Sequence, residues 1–155
     1  MTRKIGIDQA PGMRGADYPP PFDEPCRERL RRRLGDFAGL TQFGVNLLAL
    51  PPGAWSSQRH WHTIEDEFVY VLEGEVVLVT DGGEEILEAG QCAGFPGGVR
   101  DGHHLQNRST RAATVLEIGT RRMADDEAFY SDIDLHALAG DAGYAHRDGR
   151  PYPRK

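Results

Sequence analysis

The chain has 155 residues, a formal net charge of −6 at pH 7, 39% hydrophobic and 27% charged residues. That is one domain by length, with enough apolar side chains for a core, and its acidic balance argues against a phosphate-backbone partner. No apolar run approaches the roughly 18 residues of a membrane helix, and Gly 19 with Pro 10 is too much punctuation for a helical bundle.

Residues 1–37 read as an N-terminal arm. Its start, Met1 to Asp8, lacks the apolar stretch of a secretory signal, and Cys26 and Cys92 are too few for a disulfide scaffold. Both features imply a reduced, cytoplasmic setting. Pro19, Pro20 and Pro21 force extended geometry. Residues 25–34 contain helix formers, a Leu30/Leu34 pair at i, i+4, and five arginines in seven positions. Such a charge run suits a solvated face, an acidic surface of the same protein, or an anionic partner.

Residues 38–122 have another texture. Short apolar runs (Phe43 to Leu50, Phe68 to Leu72, Val76 to Thr80, Ile86-Leu87, Cys92 to Phe95, Ala112 to Ile118) alternate with turn residues. Asp81-Gly82-Gly83 is a hairpin signal. This spacing predicts an all-β sandwich or barrel. Cys92 is expected as a small buried hydrophobe, and Tyr70 as sheet packing. Residues 123–155 form a polar C-terminal extension whose Phe129, Tyr130, Ile133 and Leu135 are expected to close on the barrel.

Four of the six histidines fall in two places. In His60-Trp61-His62 the histidines share one face of a strand, with Cα atoms about 6.6 Å apart, so two imidazoles can converge on one ion. Trp61 then faces the opposite side. Glu67 lies at an odd separation from His62, but a turn over Thr63 to Asp66 resets the parity and lets it point inward. Glu65 competes with it. At the second place, His103-His104, only one ring faces a given side, with His103 sharing its face with Leu105 and Asn107. Three nitrogens and one carboxylate oxygen suit one divalent transition metal (Fe, Mn, Ni, Zn or Co). Gln58, by strand parity with His60, and Asn107, by parity with His103, are candidates for orienting ligand or metal-bound water. Arg59 and Arg100 lie near the expected rim, where a phosphate or carboxylate would enter.

These residues resemble the cupin motifs. The first is met by Gly53, six residues, His60-Trp61-His62, four residues, Glu67, six residues, Gly74. The second is met by Gly90, five residues, Pro96-Gly97-Gly98, four residues, His103, three residues, Asn107. The pattern departs by one extra residue before His60 and two before His103, which keeps His104 open as the third histidine ligand. The resemblance implies a double-stranded β-helix (jelly-roll/cupin barrel) with extended N- and C-terminal arms, and a metal held by His60, His62, Glu67 and His103. It also implies a homodimer, with Trp61, Phe68 and Tyr70 either at its surface or beneath the arms. The chain looks most like small bacterial cupins, some provisionally named sugar-phosphate isomerases. The implied function is metal-dependent chemistry of isomerase or dioxygenase type on a small oxygen-rich metabolite. A non-catalytic metal or small-ligand binding or sensory module is the alternative. The expected partner is a small molecule, not nucleic acid or membrane.

Overall fold

A computed structural model describes residues 4–154; Met1, Thr2 and Arg3 of the expected arm and Lys155 of the expected extension lie outside the described residues. In chain order the strands are β1 (Gly12–Arg14), β2 (Leu30–Arg33), β3 (Phe43–Leu50), β4 (His60–His62), β5 (Glu67–Glu73), β6 (Glu75–Thr80), β7 (Gly83–Glu88), β8 (Cys92–Phe95), β9 (His104–Gln106), β10 (Ala113–Thr120), β11 (Ala128–Tyr130), β12 (His136–Ala137) and β13 (Tyr144–Ala145), with one five-residue helix, α1 (Leu34–Ala38). They form three antiparallel sheets, ordered β1-β2-β3-β10-β5-β8, β13-β12-β11-β4 and β7-β6-β9. No helix among the described residues is long and apolar enough to cross a membrane.

Alternation explains which faces are buried. Val69 and Val71 on β5 point inward, while Phe68, Tyr70 and Leu72 are exposed. With Leu48, Leu50, Val76, Leu78, Leu105, Ala113 and Val115 they fill the core between the sheets. The expected hairpin is present, with Thr80 paired to Gly83. The same alternation corrects the expectation for Cys92. Ala93 and Phe95 pack against the core, so Cys92 falls on the other side of β8 and is exposed.

The arginine-rich segment departs from its helical composition. Leu30–Arg33 is a strand, paired to β3 through Leu30↔Ala49 and Arg32↔Leu47 and to β1 on its other side. Pairing with an available sheet edge outweighs a local helix preference of a few tenths of a kcal/mol per residue. The N-terminal arm therefore extends the six-stranded sheet. The C-terminal segment contributes to a second buried cluster. In it Ala128, Tyr130 and Leu135 pack with Tyr18 and Cys26, so residues from both ends of the chain meet there. Trp61 is stacked against Phe129, with Arg100 over its ring, and lies beneath the extension, while Phe68 and Tyr70 do not.

Candidate metal centre

Two backbone features bring distant side chains together. His60 and His103 face each other across an isolated antiparallel bridge, His60 N–H donating to His103 O at 3.2 Å and His103 N–H to His60 O at 2.9 Å. The bend at 63–66 then returns the chain into β5, which begins with Glu67 opposite Phe95. Gly97 permits the close approach this needs, since a Cβ there would sit 2.1 Å from the Ile64 carbonyl oxygen.

One oxygen, Glu67 Oε2, lies 3.5 Å from His60 Nε2, 3.4 Å from His62 Nε2 and 2.7 Å from His103 Nε2. Candidate ligand atoms of His60, His62 and Glu67 all fall within 4.8 Å of one another. The opposite ring nitrogens are anchored elsewhere. His60 Nδ1 donates to the Gln58 carbonyl at 2.8 Å and His62 Nδ1 to Asp126 Oδ2 at 2.6 Å. His103 Nδ1 faces the Asp101 carbonyl at 3.4 Å, and the ring stacks flat on Phe95 at 3.6 Å. Holding Nδ1 on an acceptor orients each ring with Nε2 toward the shared oxygen, the arrangement by which outer groups fix metal-binding imidazoles.

The charges follow from this packing. Burial pushes His60 down, with Glu67 opposing. Burial also disfavours charge on His62, but Asp126 and Glu67 outweigh it and move its pKa up. Burial alone would raise Glu67; hydrogen bonds from His103 and His60 instead hold it well below the usual carboxylate range. A carboxylate kept ionised among three imidazoles has the donor set of a borderline divalent ion, so the residues present fit such a metal.

The other sequence candidates are placed differently. His104 is buried, with Nδ1 on the Ser57 carbonyl at 2.9 Å, Nε2 against the Gln106 amide and its ring edge-on to Trp55. Burial first of all lowers its pKa to about 4. Glu65 accepts from the Arg122 amide and groups with His62 and Asp126. Gln58 sends its side-chain amide to the Phe22 carbonyl at 2.7 Å; only its backbone carbonyl serves the site. Asn107, fully buried, pins the carbonyls of Leu50 and Arg111 at 2.7 Å each. Arg59 binds Asp81, Asp132 and the Gly102 carbonyl, tying the extension to the barrel. Sequence reasoning missed Asp126, which orients His62 and also accepts the Ile64 and Glu65 amides. Its only signal was membership of the acidic run Asp125-Asp126-Glu127.

The site opens into a cavity of about 550 Å³ whose lining includes all four residues and, from the N-terminal arm, Tyr18, Arg29 and Arg31. This volume lies within the range of small-molecule sites.

Comparison with known proteins agrees with this architecture. A family described as the cupin domain matches residues 46–119. A solved structure from Silicibacter pomeroyi, described as a sugar phosphate isomerase from a cupin superfamily, is 43% identical, with a TM-score of 0.91 and coverage of 97% of each chain. The chain belongs to the cupin superfamily. This cupin is also similar to a structure from Acidithiobacillus ferrooxidans provisionally named a sugar phosphate isomerase, at 27% identity, TM-score 0.72 and coverage of 83% of this chain and 82% of that one. The polyketide cyclase RemF from Streptomyces resistomycificus is 17% identical, with TM-score 0.63 and coverage of 91% and 89%, and shares the fold. No curated protein matches the chain. The jelly-roll fold is thus shown, its three sheets arranged as in cupin barrels.

Proposed function

We propose that this cupin is a metal-dependent enzyme acting on a small oxygen-rich metabolite, of isomerase or dioxygenase type, with one divalent transition metal held by His60, His62, Glu67 and His103. The observation that carries this reading is the approach of three Nε2 atoms to one Glu67 oxygen while two of the opposite nitrogens are tightly anchored. When bound, such an ion polarises a carbonyl or activates a coordinated oxygen. The protein's own part is orientation. Gln58 O and Asp126 hold two imidazoles, and Phe95 supports the third. His103 is the third histidine ligand in this reading, because both ring nitrogens of His104 already have partners.

The isomerase form draws support from the description of the Silicibacter pomeroyi relative. One observation favours the second reading, a non-catalytic binding module. Each cavity carboxylate has a partner: Glu117 with Arg31, Asp36 with Arg121, Glu65 with the Arg122 amide, Glu67 with the histidines. Anaerobic reconstitution followed by a substrate panel separates the two. Turnover abolished in His62→Ala is the expected result; ligand-induced melting shifts without turnover would establish the binder. We also read the chain as a cytoplasmic homodimer whose ligand is a small molecule, not nucleic acid or membrane. Free Cys26 and Cys92 support a reduced setting, and exposed Phe68, Tyr70 and Leu72 on β5 support self-association. Sedimentation velocity at micromolar concentration checks the dimer.

A further inference from the structure

The arginine-rich segment does more than extend a sheet. Arg29, just before β2, and Arg31 on it are two residues apart, and both line the cavity that holds the four-residue site. Of the arginines lining that cavity, Arg31 faces Glu117 at 2.9 and 3.0 Å, Arg121 pairs with Asp36, and Arg33 reaches the same carboxylate at 3.9 Å. Arg29 has no carboxylate partner among the described residues. It is 6% exposed, its Nε donates to the Gly15 carbonyl at 2.9 Å and its Nη1 to the Ser56 carbonyl, while Nη2 donates to no acceptor among the described residues.

Burying an unpaired guanidinium is costly, and carbonyl dipoles leave its full charge in place. A neutral donor would fasten the arm to Gly15 and Ser56 without that penalty. Burial, and next the neighbouring charge of Arg31, both weigh against the charged form of Arg29, so an anion is what the position lacks. The wall beside it is polar and continuous with the site. Ser56 accepts from Arg29, and Ser57 lines the cavity with its hydroxyl making only long contacts, 3.4 Å to Ser56 Oγ and 3.5 Å to His60 Nδ1. Four residues of chain therefore lead from the Arg29 contact to His60.

We infer that Arg29, with Arg31 and the Ser57 hydroxyl, forms an anion subsite that takes the phosphate or carboxylate end of a small ligand whose other oxygens face His60, His62, Glu67 and His103. This deepens the proposed function, on which only the second half of the ligand's placement rests. A forked guanidinium matches both oxyanions, and charge-assisted bonds of this kind are the strong ones. The cavity is large enough for a small metabolite, and its lining includes both sets of residues.

The test is calorimetric titration of inorganic phosphate, and separately of malonate, into full-length protein stripped with chelator and into zinc-loaded protein. One or both anions should bind in both forms. Arg29→Gln should weaken that binding about tenfold or more while leaving zinc stoichiometry unchanged. Arg29→Lys, which keeps the charge and loses the fork, should bind several-fold more weakly than wild type, and it carries the test if the glutamine variant fails to fold. Wild-type anion affinity in these variants, anion binding confined to the zinc-loaded form, or no binding of either anion would each overturn the subsite. A chain that takes up no zinc yet binds an anion through Arg29 would retain the subsite while the metal reading fell.

Discussion

His62 shows how much of the site is decided outside the ligand set. Its Nδ1 rests on Asp126 Oδ2, while Oδ1 of the same carboxylate receives the Ile64 and Glu65 amides and the Thr63 hydroxyl. Removing a carboxylate that orients a metal-binding imidazole costs about 10–100-fold in metal affinity. Asp126→Asn should therefore lower metal affinity by about that factor while the fold persists, as competition with a chromophoric chelator would measure. Asn107 makes the opposite case. Its side chain satisfies the Leu50 and Arg111 carbonyls, and its Oδ1 accepts from the Ser109 amide and hydroxyl. Asn107→Ala strands buried carbonyls, so stability should fall by about 1–3 kcal/mol with metal content unchanged. A denaturant midpoint and elemental analysis together check both halves of that statement.

At the scale of elements, the short connections around β4 matter more than the strand itself. Gly97 passes so near the Ile64 carbonyl that a methyl group cannot be added without moving backbone, and the Gly98 amide donates to the His62 carbonyl at 2.9 Å. Gly97→Ala should displace the 63–66 bend on which the placement of Glu67 depends. We expect a melting point several degrees lower together with weaker metal retention, whereas Gly53→Ala, strained by a φ of 84° but with open space around its Cβ position, should cost stability and leave metal retention alone. The His-x-His pair was legible in the sequence because period-two geometry puts both rings on one side whatever the strand pairs with. The parity reset before Glu67 was legible as well, since a polar tetrapeptide at 63–66 interrupts the alternation. The Gln58 side chain turns to the Phe22 carbonyl because residues 56–59 are bends, where face parity has no meaning. The strand at Leu30–Arg33 was hidden because its pairing edge, β3, supplies what local composition does not record. Asp126 was hidden because its role arises from a contact spanning 64 residues of sequence.

For the whole molecule, the division into arm, barrel and extension does not follow the physics of the site. All four proposed ligands lie within 38–122, yet β4 owes its sheet partner to β11, with His60 opposite Tyr130 and His62 opposite Ala128. The second buried cluster joins Tyr18 and Cys26 from one end to Ala128, Tyr130 and Leu135 from the other, and Arg59 on the barrel holds Asp132 of the extension. A chain ending at residue 122 would keep every ligand and lose β11, Asp126 and three of the five buried residues of that cluster. Leu135→Ala is the milder version of the same cut, since a fully buried leucine truncated to alanine costs about 2–5 kcal/mol. Leu135→Ala should lower the melting temperature and leave metal stoichiometry near wild type at low temperature. The truncated chain should lose stoichiometric metal even where circular dichroism still reports strands, because β4 would then keep only the single His60–His103 bridge, with the His62 imidazole unanchored. A folded 1–122 chain that bound metal with wild-type affinity would show that the barrel alone builds the site, and that the terminal segments only cover it.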